Sequence, residues 1–157
     1  MSRAGAPPLA NPLPANLDAE RYLLGACIES PQILTAVMAA GMTEEHFSVS
    51  DHAKVCRALR EMRPKDYPID VISLAEYLGM DKAGPMLADL ICGAVLHLPH
   101  QLHYLRILEE KRRLRALLRL ADHVDAQARE AGADSKTISA LIAQSVVPNI
   151  AQTGGLQ

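Results

Sequence analysis

The sequence predicts an all-α fold, a small helical bundle followed by a protruding antiparallel helical hairpin. Three observations predict it. Apolar residues recur at spacings of three and four along most of the chain, and runs of alternating or β-branched residues are few. Cap and stop residues bracket each periodic run. One uninterrupted helical pattern, from Pro99 to Ala131, would form a rod of roughly 50 Å, longer than a compact domain of this size needs.

Residues 1–15 hold Pro7, Pro8, Pro12 and Pro14 among Ala and Gly, the composition of a flexible arm. Asn16 suits a helix N-cap, with Asp18 and Glu20 in the positive first turn and Leu17, Leu24, Cys27 and Ile28 expected on the inner face. Ser30-Pro31 pairs a cap with a first-position proline; Ile33, Leu34, Val37 and Met38 follow at helical spacing until Gly41. Thr43-Glu44-Glu45 starts a single turn carrying Phe47, the only Phe in the chain. Val55, Cys56, Leu59 and Met62 mark the next helix, stopped by Pro64.

After a loop, Asp70 caps a short helix with Val71, Leu74 and Leu78 inside and Gly79 at its end. Gly84-Pro85 opens another, carrying Met86, Leu87, Leu90, Ile91 and Ala94. Residues 16–98 therefore read as the bundle, and residues 99–148 as the long helix and hairpin.

The long helix carries two apolar stripes. Leu102, Tyr104, Leu105, Ile107 and Leu108 form one; Leu114, Leu117, Leu118, Ala121, Val124 and Ala128 form the other, turned by about 160° on a helical wheel. A rod whose apolar side changes half-way packs against two different things. Its first half closes the bundle, and its second half leaves it. Beyond Gly132, Asp134 or Ser135 caps a last helix with Ile138, Leu141, Ile142 and Val146, expected to stop at Pro148 and leave a disordered tail over 149–157. The short link folds that helix back as an αα-hairpin. Two helices alone bury too little apolar area to be stable, so their remaining apolar surface calls for a partner.

At 157 residues the chain can bury roughly 70% of its unfolded surface without a disulfide or metal staple. With no Trp, the core must be aliphatic. A formal net charge of −2 gives no general attraction to nucleic acid or acidic membranes. Cys27, Cys56 and Cys92 lie far apart at apolar helical positions and read as buried free thiols in a reducing compartment. No signal peptide or long apolar span is evident, so the expected location is cytoplasmic and no membrane partner is expected.

No catalytic constellation emerges, and no cofactor is expected. Gly79 and Gly84 have the spacing of a phosphate loop, but Pro85-Met86 stands where Lys-Ser/Thr would be and no strand precedes it. A helix stop and a helix start explain both glycines. His97, His100 and His103 lack a carboxylate or Cys to complete a zinc site, so no metal is expected. The basic run Arg106, Lys111, Arg112, Arg113, Arg115 and Arg119 could touch DNA phosphates. Yet Glu109 and Glu110 are placed to pair with Arg112 and Arg113, and no aromatic is interleaved for stacking on bases. A solvated or subunit-facing surface is the preferred reading, with a small DNA-binding regulator as the rival.

Several landmarks together resemble the N-terminal domain of DnaB-type bacterial replicative helicases. They are Asn16-Leu17-Asp18-Ala19-Glu20 with Leu23-Leu24-Gly25, then Thr43-Glu44-Glu45-His46-Phe47, then His52 with Val55 and Ala58-Leu59. Pro68-Ile69-Asp70-Val71-Ile72-Ser73-Leu74 and Tyr104-Leu105-Arg106-Ile107-Leu108-Glu109-Glu110-Lys111 complete the series, which spans about residues 14–147. The resemblance implies a non-catalytic domain whose hairpins pair between subunits as a dimer or trimer-of-dimers collar, and which docks primase and a helicase loader. It implies the pairing surface Leu114, Leu117, Leu118, Ala121, Ile138, Leu141 and Ile142. The family's motor domain has no counterpart in this chain, which therefore reads as part of a longer helicase or as a free-standing adaptor of a helicase or primase.

Overall fold

The computed structural model describes residues 12–151, all helix, turn and loop with no strand among them. Seven helices follow one another: α1 (Leu17–Glu29), α2 (Pro31–Ala39), α3 (Ser50–Met62), α4 (Val71–Leu78), α5 (Ala83–Cys92), α6 (Leu98–Ala128) and α7 (Ser135–Ala151). Single 3-10 turns, Glu44–His46 and Arg63–Lys65, flank α3.

The caps are those the residue types require. Asn16 Oδ1 accepts the Ala19 N–H at 3.0 Å, Ser30 Oγ that of Ile33 at 3.3 Å, and Asp70 Oδ1 that of Ser73 at 2.8 Å. Asp134, not Ser135, caps α7, its Oδ2 accepting the Thr137 N–H at 3.0 Å. Gly79 ends α4 at φ 58°, in the left-handed region where a Cβ is costly.

Helix α1 is the centre, packed against α2, α3, α5 and α6, while α4 joins α3 to α5. The core is aliphatic: Leu23, Leu24 and Cys27 of α1 meet Leu34 and Val37, Val55 and Leu59, Leu87 and Leu90, and Leu105 and Leu108 of the other helices. Gly25 lets α1 and α5 touch: a Cβ built there would lie 2.1 Å from the Leu90 carbonyl oxygen.

Helix α6 has three environments. Gln101, Leu105, Leu108 and Arg115 are buried against the bundle. Further along, Ala116, Leu120, Val124 and Gln127 are half-buried where α7 folds back along it. Leu114, Leu117, Leu118 and Ala121 form a third side, exposed. From Ala116 to Val146 no residue is buried, so α7 and the distal part of α6 make an arm outside the core.

Several expectations need correction. Leu17 lies on the outer side of α1 and is exposed; the inward positions are Ala19, Leu23, Leu24, Cys27 and Ile28. Cys27 and Cys56 are buried, but Cys92 closes α5 and is exposed, because the final turn of a helix has less of the core beneath it. Helix α7 continues through Pro148 to Ala151. Pro148 has no N–H, so the helix passes it with the bond to the residue 144 carbonyl missing. The arm expected at 1–15 and the tail expected at 149–157 fall mostly outside the described residues, which begin at Pro12 and end at Ala151.

Candidate functional site

Two candidates meet where α6 leaves the bundle: a polar junction at residues 109–115, and the exposed side of the hairpin beyond it.

At the junction the 3-10 turn Glu44–His46 is fastened to α6. The Nδ1 of His46 lies 3.1 Å from the Thr43 backbone N–H and must accept from it, so the ring proton sits on Nε2 and is donated to Glu109 Oε2 at 3.0 Å. Burial lowers the His46 pKa despite the neighbouring carboxylate, so this contact joins a neutral imidazole to a carboxylate and is not an ion pair. Glu109 also accepts Arg112 Nε at 2.7 Å, Arg112 Nη2 at 2.9 Å and Arg113 Nε at 2.8 Å. The Arg112 hydrogen bonds lead in bringing its pKa down to about 2. Both oxygens of Glu109 are thereby occupied.

Arg115, expected on a solvated or partner-facing surface, is instead buried. Its Nη1 donates to the Pro14 carbonyl and its Nη2 to the Glu45 carbonyl, each at 2.8 Å. Burial pulls its pKa down. With Arg112 and Arg113 held by Glu109, half of the six-residue basic run is engaged inside the chain. Arg106 and Arg119 remain exposed.

A second buried carboxylate lies behind the junction. Glu20, whose first-turn position a helix dipole accounts for, is fully buried. It accepts the Ser48 N–H at 2.7 Å, the Ser48 hydroxyl, and His52 Nδ1 at 2.7 Å, tying α3 and the segment entering it to α1. Burial alone would raise its pKa; the hydrogen bonds from His52 and Ser48 outweigh that and lower it. Its sequence signal was its place one turn before Leu23 and Leu24 on the inward side of α1.

The residues expected to pair subunits divide into two sets. Leu117 and Leu118 are each 45% exposed, Leu114 36% and Ile142 38%, with Ala121 exposed beside them. Ile138 and Leu141 are half-buried. The hairpin thus consumes part of the apolar set and leaves an aliphatic stripe along α6 in water.

The remaining motifs take structural places. Gly79 is the end of α4, and Gly84 lies in the first turn of α5. His97 precedes α6 and its ring packs edge-on to that of His100, centroids 4.5 Å apart. Among the described residues, no three His, Cys, Asp or Glu side chains converge to hold a metal ion, and no helix is long and apolar enough to cross a membrane.

Comparison with known proteins agrees with this architecture. The crystal structure of the N-terminal domain of DnaB helicase from Mycobacterium tuberculosis superposes with a TM-score of 0.71 at 24% identity, covering 83% of this chain and 99% of that one. At that identity the likeness speaks for the fold. No curated protein sequence matches. The profile of the DnaB-like helicase N-terminal domain matches residues 12–110, from the segment held by Arg115 to the root of the hairpin. With well over half of its length matched in that way, the chain belongs to the DnaB-like helicase N-terminal domain family.

Proposed function

We propose that this chain is a non-catalytic collar domain of a DnaB-type replicative helicase, which pairs subunits through its hairpin and docks primase or a helicase loader. The observation that carries the reading is the stripe Leu114, Leu117 and Leu118, with Ala121 and Ile142, exposed on an arm outside the core. Three leucines in a row on one helix side, at up to 45% exposure, lose roughly 25 cal/mol of stabilisation for each Å² of apolar surface left wet. A second hairpin laid on the stripe recovers it, and a two-fold pair presents the same stripe from both sides.

The polar junction supports the same reading. Ties from Glu109 and Arg115 fix where α6 departs from the bundle, so the apolar stripe is held in one direction relative to the body. Light scattering on the full chain tests pairing: a dimer or larger assembly is expected, and a strict monomer at high concentration would remove the collar reading.

A further inference from the structure

Between the last turn of α2 and the first half of α6 runs an open groove of about 840 Å³. Its small and apolar side comes from Ala36, Ala39, Ala40, Leu102 and Leu105, and Arg106, Glu109 and Arg113 line it along α6. We propose that this groove is a docking site for an amphipathic α-helix of another protein, with carboxylates two turns apart seated over Arg106 and Arg113. The proposal rests on the partner-docking half of the function given above and is independent of hairpin pairing.

The occupant is helical because the groove continues a bed that already holds a helix. Positions 106, 109 and 113 lie on the same line of α6 as 116, 120, 124 and 127, by steps of three and four. The later positions are half-buried where α7 lies along α6. The earlier ones form the open groove. Its α6 wall, from Leu102 to Arg113, is about 16 Å long, three helical turns. Alanines on the α2 side leave room for a helix backbone to approach, and such a groove takes the apolar side of an amphipathic helix.

Charge selects the kind of helix. Glu109 is saturated by Arg112, Arg113 and His46, so it cannot receive a cation from outside. Arg113 spends only its Nε on Glu109, and Arg106 has no polar partner among the described residues. Arg112, also at the groove, spends its Nε and Nη2 on Glu109 and its Nη1 on Glu45. Arg106 and Arg113 are therefore the guanidinium groups with the most open donors, seven residues apart, about 10.5 Å along the axis. Each can take a carboxylate bidentately. Glu45 and Glu110 also line the groove, which disfavours an occupant acidic throughout and restricts its carboxylates to the two arginine positions. No described helix of this chain carries two carboxylates seven residues apart, so a second copy does not meet the requirement.

The test uses the full chain and two fluorescein-labelled, stapled 15-residue helical peptides. Both have Leu and Ala along one side; one carries Glu at positions 4 and 11, its twin Gln. By fluorescence anisotropy at low salt the Glu peptide is expected to bind about tenfold tighter than the Gln peptide. Arg106→Glu should erase that difference, and Ala39→Trp should weaken both peptides by filling the groove. The chain carrying Leu117→Asp should bind the Glu peptide like wild type, which separates failure here from failure of pairing. Equal binding of the two peptides, no binding, or binding unaffected by Ala39→Trp overturns the proposal. So does a change of oligomeric mass on Arg106→Glu, which would assign the groove to a second copy.

Discussion

The Glu20 carboxylate of α1 holds the His52 imidazole of α3 at 2.7 Å, with Glu20 fully buried. An ionised carboxylate can only accept, so His52 Nδ1 is the donor, and Ser48 supplies two more donors from the start of the same segment. One side chain thereby locks α3 and the segment leading into it to the central helix.

Glu20→Ala leaves His52 unpartnered in a buried setting and takes the acceptor from the N–H and hydroxyl of Ser48, which is exposed to water. A loss of about 3 kcal/mol is expected, read as a lower urea midpoint with an unchanged slope. An effect within experimental error would mean that water replaces the carboxylate at no cost.

Acid should weaken the fold in two stages. His46 has its pKa lowered below 6.5 by burial, so below that pH the unfolded chain takes a proton the folded chain resists, and stability falls. Glu109, at about 2 against an ordinary 4.5, contributes stability that is complete above pH 4.5 and is lost as pH falls toward 2. Glu20, also lowered, acts in the same sense below 4.5. Urea midpoints against pH should therefore drop below 6.5 and again below 4.5, and Glu109→Gln should flatten the second drop. A Glu109→Gln curve parallel to wild type through the lower window would sink this assignment.

Gly25→Ala places a methyl carbon 2.1 Å from the Leu90 carbonyl oxygen, on backbone that cannot swing away. Helix α5 must shift from α1, at a cost of about 2 kcal/mol. Thermal unfolding would measure it, and a variant as stable as wild type would show that the two helices are not in close contact in solution.

Leu117→Asp puts a charge in the exposed stripe without touching the core. Assembly should fall apart by light scattering while helical content by circular dichroism stays the same. Loss of both would indicate that this part of α6 is needed for the fold itself.

One thiol of three should react with a thiol reagent in the native protein. Burial raises the Cys27 pKa far above its usual range and pushes Cys56 up to about 12, while Cys92 is exposed. All three should react in guanidinium. More than one fast thiol in the native state would contradict the burial of α1 against α3.

Helix existence and order were legible from local chemistry: Asn16, Ser30-Pro31 and Asp70 at the starts, Gly79 at the end of α4, and the change of apolar side along α6 that separates bundle from arm. The long helix itself ends at Ala128, short of the expected Ala131, and Gly132 (φ 86°) lies in the turn beyond it. These signals are local, since caps and periodicity act within a turn or two. Glu20 and Arg115 were beyond that reach. Each sits at an inward helical position in the sequence, but whether a buried charge is tolerable depends on donors or carbonyls supplied from far along the chain. Glu20 finds Ser48 and His52, 28 and 32 residues away, and Arg115 finds Pro14 and Glu45, 101 and 70 residues away. The aliphatic stripe followed the same division. Its residues could be named from spacing, but only tertiary packing decided that Ile138 and Leu141 are half-buried while Leu117 and Leu118 remain in water. Which side of an amphipathic rod is covered depends on where the next helix lies, and the rod's own pattern is nearly the same whichever neighbour covers it.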